Sequence, residues 1–308
     1  MPIETAGTQA KSYRYLRIAM VGLLLALAAA VFYQSSQQDS FLASVSAYYY
    51  TPAQAVFVGA LIGLGASMIA LQGRNDAEDQ FLNLGGIFAI VVAIVPTGRG
   101  ADFRTAVQAC RESGGTLLTH EASKNLDCPG VLALQDASRA NVENNMAALL
   151  IVGGLTLILA AVILFRNWTA KRETKGRWWV LGGFFAAVLL WLLGLIALAV
   201  SVDWLADNGH YIAAGGLLLS ILLVAGANAH RRQERPSVGI VPKGDVLKSP
   251  RKYPYTWIAV AMLVIAGFLI VLWLTNVISL FWVEILVALL FVLFWTVQTI
   301  DIELEART

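Results

Sequence analysis

Ser46, Asp203 and His210 are the residue types of a nucleophile, an orienting carboxylate and a base, and each falls at the edge of an apolar stretch. A hydroxyl from Ser46 or a tyrosine, deprotonated by His210 with Asp203 orienting the ring, would be the minimum of a membrane-edge hydrolase. A second set comprises Tyr48, Tyr49, Tyr50, Glu143, Asn144, His210 and Glu284. Its hydroxyls, carboxylates, amide and imidazole suit ligand binding without catalysis. Glu284 is the sharpest of these. It sits a few residues into an apolar run, where an ionised carboxylate facing lipid is costly, so it must face the bundle or water as a functional group or as interhelical glue.

Other chemistries lose support. His120, His210 and His230 lie in three separate regions and supply neither a three-His zinc site nor paired haem ligation within the bundle. No lysine lies inside an apolar run to anchor a Schiff base. Neither the phosphate-cradling G-x-x-x-x-G-K-[ST] loop nor the G-x-S-x-G elbow occurs. No metal site and no cofactor is expected.

The elements that must carry these residues are membrane helices. The chain is 58% hydrophobic and 14% charged, with a mean hydropathy of +0.67, values foreign to a soluble domain. A window of about twenty residues predicts eight spans. They run approximately Arg17 to Tyr33, Pro52 to Gln72, Phe81 to Thr97, Met146 to Phe165, Trp179 to Val200, Tyr211 to Asn228, Trp257 to Thr275 and Trp282 to Thr299. The fold class expected is therefore all-α, a polytopic transmembrane helix bundle. The first apolar run lacks a convincing small-residue cleavage site and reads as a retained span.

The basic residues orient this bundle. Of the 22 Lys and Arg, all but five fall before span one, after spans two, four and six, or after span eight. The five exceptions, Arg99, Arg104, Arg111, Lys124 and Arg139, share one long loop. By the positive-inside rule both termini are cytoplasmic and that loop is extracytoplasmic. The only cysteines, Cys110 and Cys128, lie in the same loop, where an oxidising compartment would favour a disulfide contributing on the order of 3 kcal/mol to its order. C-x17-C without further Cys or a His pair is not a zinc pattern.

The organisation expected is a cytoplasmic segment 1–16, a six-span core 17–229 with the extracytoplasmic loop 98–142, a cytoplasmic linker 230–256, a two-span hairpin 257–299 and a tail 300–308. Pro236, Pro242, Pro250 and Pro254 amid basic residues mark the linker as a seam. Spans two, four, six and eight all begin at the outer face, preceded by polar residues, so their free amides and positive dipole ends converge there. That outer vestibule is the functional surface expected. Simpler roles stand beside it: Glu143 and Asn144 suit the capping and first turn of span four, and tyrosines at a span's edge are commonly interfacial. Three consecutive tyrosines point in different directions, however, so at least one should face protein.

Several strings carry a resemblance. Ser44 to Thr51 (SVSAYYYT), Val56-Phe57-Val58-Gly59, Pro96-Thr97, Val142-Glu143-Asn144-Asn145, and Phe294-Trp295 with Gln298-Thr299 resemble a family of uncharacterised bacterial multi-pass membrane proteins. The resemblance implies architecture and a bacterial cytoplasmic (inner) membrane location, with no activity attached. A more distant similarity is to the superfamily of alkaline ceramidases and adiponectin-type receptors, whose site pairs Ser and Asp with three His. Ser46, Asp203 and His210 match in type, but span eight lacks the H-x-x-x-H pair, which argues against a zinc amidase.

Three function classes follow. The preferred one is a non-catalytic membrane protein whose vestibule binds a lipid, small molecule or partner, with the disulfide-bearing loop as lid. The alternative is a lipid-modifying hydrolase, which requires His210 within reach of Ser46. The third, a channel or transporter, requires a polar path past Ser67 and Ser220. Expected partners are membrane lipids and a partner subunit or second copy of the chain, not nucleic acid.

Overall fold

The computed structural model describes residues 2–73, 75–99, 101–114, 127–169, 177–234 and 254–307. Arg74, His120 and Lys124, and the linker between 235 and 253, lie outside the described residues. The described elements are helical: α1 Pro2–Gln38, a short 3₁₀ helix Val45–Tyr50, α2 Gln54–Ala70, α3 Asp76–Ile94, α4 Ala101–Glu112, α5 Cys128–Thr169, α6 Arg177–Val200, α7 Val202–Glu234, α8 Pro254–Leu274 and α9 Leu280–Arg307.

Seven of these, α1, α3 and α5 to α9, are long and apolar enough to cross a membrane. The sequence leads one to expect eight. The expected second span is α2, whose 17 helical residues fall below the span length. The cause is local. Ser44 accepts the amide of Ala47 and caps the 3₁₀ helix, and the backbone then extends at Thr51, so helical winding restarts only at Gln54.

The long loop expected at 98–142 is also more ordered than the sequence suggests. It contains α4 and the first turns of α5, joined by the Cys110–Cys128 disulfide. Ala106, Val107, Cys110, Cys128 and Val131 form a small core of their own, against which Phe103 and Leu132 pack. With 42 residues, α5 is about 63 Å long at 1.5 Å per residue, so its start projects beyond the apolar bundle. The projection carries α4 as a cap at what is here termed the disulfide end.

Helix α3 is the hub, packing on α2, α5, α6 and α7. Asn75 caps it by accepting the amide of Glu78, and Asp76, Glu78 and Asp79 fill its first turn, where the helix dipole favours acids. Its far end is set by Pro96, which disfavours helical geometry at Val95. Small residues permit the close packing. A Cβ on Gly86 would meet the Gly65 carbonyl oxygen at 2.6 Å, so α2 and α3 touch backbone to backbone. Helices α8 and α9 are part of the same bundle: α8 packs on α7, and α9 on α1, with Phe294 and Trp295 fully buried.

These contacts make a specific prediction. Gly86→Ala forces α2 and α3 apart and should lower stability by about 1–3 kcal/mol, the usual cost of overpacking. Gly215→Ala, where the new methyl meets open space, should leave the melting temperature of the solubilised protein unchanged. Equal melting temperatures for the two variants would contradict the assigned contact.

Candidate functional site

The site is built on the end of α3. Where Pro96 stops the helix, the carbonyls of Ile94, Val95 and Thr97 lack helical partners in a buried setting, and buried carbonyls require donors. Each finds one on a different element. Asn145 of α5 donates Nδ2 to Ile94 at 3.1 Å, His210 of α7 holds Nδ1 2.7 Å from the Val95 oxygen, and Tyr50 of the 3₁₀ helix donates its hydroxyl to Thr97 at 2.6 Å. The Thr97 hydroxyl completes the set by donating to Tyr211 at 3.1 Å.

The ring of His210 therefore has a fixed orientation. Its other nitrogen, Nε2, lies 2.9 Å from Ser46 Oγ, and Ser46 Oγ lies 3.2 Å from Glu284 Oε1. Glu284 Oε2 accepts the Val45 amide at 2.5 Å. Carboxyl, hydroxyl, imidazole and backbone carbonyl thus form one chain from α9 to α3. His210 and Ser46 are buried, 2% and 6% exposed. Glu284 faces the bundle, as the cost of a lipid-facing carboxylate requires.

Asp203 takes no part in this chain. It pairs with Arg139 of α5 at 3.3 Å, both side chains about half exposed. Seven residues before His210, it sits on the same face of α7 but about 10.5 Å along the axis, and Val95 supplies the partner expected of it. Glu143 and Asn144 are exposed in the middle of α5, since that helix starts at Cys128 and needs no cap where they lie. Asn145, beside them, is the one turned inward.

The three tyrosines divide as their spacing demands. Tyr48 is fully buried, its hydroxyl bonded to Ser35 and to the Leu42 amide. Tyr49 packs edge-on against Phe57. Tyr50 borders a cavity of about 220 Å³ between the 3₁₀ helix, the segment after Pro96 and the start of α5. Tyr49, Tyr50, Thr51 and Gln54 line one side, Pro96 and Arg99 another, and Ala137, Ser138 and Asn141 the third. Arg99 is the only charged residue among the described residues of that lining. Its guanidinium stacks 4.0 Å from the Tyr50 ring centroid, and its Nε is buried with no hydrogen-bond partner among the described residues. Reading the sequence by residue type missed Arg99, which entered only as one of five basic residues in the outer loop.

A second polar cluster lies at the opposite end of the bundle. Gln298 of α9 donates to Glu78 Oε1 at 2.8 Å and, at 3.4 Å, to Asn228 Oδ1 of α7, all three being 0–1% exposed. Arg17 of α1 is buried nearby, its guanidinium 5.9 Å from the Trp295 ring. Between the two ends the interior is apolar, with Leu64, Met68, Leu82, Ala89 and Val92 buried, and the Ser220 hydroxyl donates to Gly216 of its own helix. Among the described residues no three His, Cys, Asp or Glu side chains converge to hold a metal ion.

No family model, curated protein or solved structure matches the chain.

Burial pushes the Tyr50 phenol up to about 12 from an ordinary 10, against the lowering effect of Arg99. The phenol therefore donates to Thr97 throughout the neutral range. Because the folded value is raised, its contribution to stability is whole below about pH 10 and is lost as pH climbs towards about 12. Tyr50→Phe should lower stability at neutral pH but flatten this alkaline loss, read as melting temperature against pH. An unchanged alkaline slope would contradict the assignment.

Proposed function

We propose that this protein is a multi-pass membrane protein that binds a small anionic group at its extracytoplasmic face, with the disulfide-linked cap of α4 and the start of α5 over the binding cavity. The observation that carries this reading is Arg99, a guanidinium with a buried, unpartnered Nε in a cavity lined by neutral hydrogen-bonding side chains. A buried N–H without an acceptor is costly, so an anion that enters the cavity and accepts from Nε removes a standing penalty. Gln54, Ser138 and Asn141 add uncharged donors, and among the described residues no carboxylate in the lining opposes the ligand. At about 220 Å³ the cavity is smaller than the roughly 300–1,000 Å³ typical of drug-sized ligands, which favours a phosphate or carboxylate headgroup over a whole hydrophobic molecule.

Orientation is supported by charge. The basic residues concentrate in the segments away from the disulfide, which favours cytoplasmic termini, and α2 would then complete an eight-span passage as a short, tilted or recessed crossing. The resemblance to bacterial multi-pass proteins favours the cytoplasmic membrane of a bacterium.

A second reading has one specific observation in its favour: the 2.9 Å contact between Ser46 and His210 has the geometry of a serine nucleophile and its base. It is the weaker reading, because both groups are buried and outside the cavity lining, and the same hydroxyl is also engaged by Glu284.

Native mass spectrometry of the solubilised protein with phosphatidylglycerol, phosphatidylcholine or inorganic phosphate tests the proposal and separates a lipid headgroup from a free anion. Arg99→Ala should weaken anion retention roughly ten- to a hundredfold, the worth of a charged hydrogen bond. Arg166→Ala, at the opposite end, should not. Equal retention by Arg99→Ala and wild type would overturn the binding reading. Labelling of Ser46 by a serine-reactive fluorophosphonate, lost in His210→Ala, would replace it with the hydrolase.

A further inference from the structure

The chain Glu284–Ser46–His210–Val95 contains three polar contacts, and each must hold one hydrogen. The contacts are Oε1 to Oγ at 3.2 Å, Oγ to Nε2 at 2.9 Å, and Nδ1 to the Val95 oxygen at 2.7 Å. A serine hydroxyl supplies one hydrogen and a neutral imidazole supplies one. With an ionised carboxylate the total is two. One contact would then set acceptor against acceptor, at Val95, between Ser46 and His210, or between Ser46 and Glu284. A third hydrogen is needed.

Charge leads to the same count. Ionised Glu284 beside neutral His210 would leave a net negative charge among groups that are largely buried, and burying an uncompensated charge is expensive. The other ionisable groups described at this end do not neutralise it. Asp203 is paired with Arg139, Asp207 and Glu143 are exposed, and Arg99 is stacked on Tyr50. Tyr48 bonds to Ser35, Tyr211 to Thr97 and Tyr50 to the Thr97 carbonyl, while Tyr49 packs on Phe57. Tyr33 and Asp39 at the end of α1 are exposed, and α2 and the described side chains of α8 and of α9 other than Glu284 offer no further ionisable group.

We infer that Glu284, Ser46 and His210 together form a binding site for a single proton, which latches the start of α9 onto the 3₁₀ helix and α7. The bound proton has two arrangements with identical heavy-atom positions. In one, the carboxylic acid of Glu284 donates to Ser46 Oγ, whose hydroxyl hydrogen goes to His210 Nε2. In the other, His210 is an imidazolium donating from Nε2 to Ser46 Oγ, whose hydrogen goes to the Glu284 carboxylate. They interconvert when one proton passes from Glu284 to Ser46 while Ser46 passes its own to His210, with no net gain or loss. In both, His210 Nδ1 donates to Val95, Glu284 Oε2 accepts the Val45 amide, and the group is neutral overall. Loss of the proton leaves one contact without a hydrogen and loosens the Ser46–His210 part of the latch, while Glu284 Oε2 keeps the Val45 amide. The adjacent Phe281 amide, which donates to the Ala43 carbonyl at 2.9 Å, and the Val45–Glu284 bond then remain as polar ties between α9 and this loop.

The test is made on the full chain in lipid nanodiscs at about pH 8, where free histidine is neutral and free glutamate ionised. Infrared spectra report a protonated carboxyl, assigned by its disappearance in Glu284→Gln, and ¹⁵N-histidine spectra report the ring, assigned with His210→Gln. The site predicts either a protonated Glu284 or an imidazolium at His210. Ionised Glu284 together with neutral His210 in the folded wild type would overturn it. A second arm uses the amide of Glu284→Gln, whose oxygen can take the Val45 hydrogen while its nitrogen donates permanently to Ser46. Above about pH 7 an unfolded chain has released this proton, so wild type should lose close to tenfold in folding equilibrium per pH unit until the site empties, and Glu284→Gln should not. Parallel profiles for the two proteins would contradict the proposal. Should Glu284→Gln fail to accumulate, ¹³C-glutamate labelling of wild type, with Glu78→Gln to subtract the other buried glutamate, carries the infrared assignment.

Discussion

The structure depends on how α3 ends. A proline two residues before a glycine and three before an arginine is an ordinary stop signal, but here it acts in the interior, releasing carbonyls where water is not at hand to receive them. Side chains from α5, α7 and the 3₁₀ helix must therefore converge on Ile94, Val95 and Thr97. That requirement orders three otherwise separate elements around one point. The Val95 contact orients the His210 ring towards Ser46. The Thr97 contact holds Tyr50 with its ring face available to Arg99. The cavity and the proton site are thus neighbours that share a scaffold.

The distribution of polar groups along the bundle follows from the same economy. Ionisable side chains collect at the two ends, Glu284 and His210 at one and Arg17 and Glu78 at the other, with α7 and α9 contributing to both clusters. Small-residue contacts close the apolar middle, where Gly65 meets Gly86, and Met68 and Ser220 press on Gly85. Polar residues at this level bond within their own helix, as Ser220 does. Such an interior supports a rigid bundle with chemistry at its faces, which favours binding at a face over passage through the middle.

Much of this was legible in the residues, and the failures have physical causes. Two cysteines in an otherwise cysteine-free chain pointed to the disulfide that the structure contains. The cost of a carboxylate in lipid predicted that Glu284 faces inward, and the 100° turn per residue predicted that the tyrosines would part company. The carbonyl partners were invisible because a backbone oxygen has no residue type, and only Pro96 after an apolar run hints at their release. Asp203 was cast by type alone, whereas helix geometry puts it two turns above the histidine. Glu143 and Asn144 read as caps because hydropathy locates where a helix becomes apolar, not where it begins, and α5 starts well before its apolar part. The second span is shorter as a helix than its hydropathy suggests for a related reason, since Pro52 to Gln72 is largely apolar but not yet helical at its start.

The most direct test of this account is the distance and hydrogen between His210 and Val95. Solid-state NMR on protein carrying ¹⁵N-histidine and ¹³C-carbonyl valine measures the dipolar coupling between Nδ1 and the valine carbonyl carbon, and the same spectrum reports whether Nδ1 bears a proton. The account predicts a protonated Nδ1 strongly coupled to one valine carbonyl, as a 2.7 Å hydrogen bond requires, with the coupling lost in His210→Gln. A bare Nδ1, or a ring coupled to no valine carbonyl, would mean that the end of α3 does not organise the site.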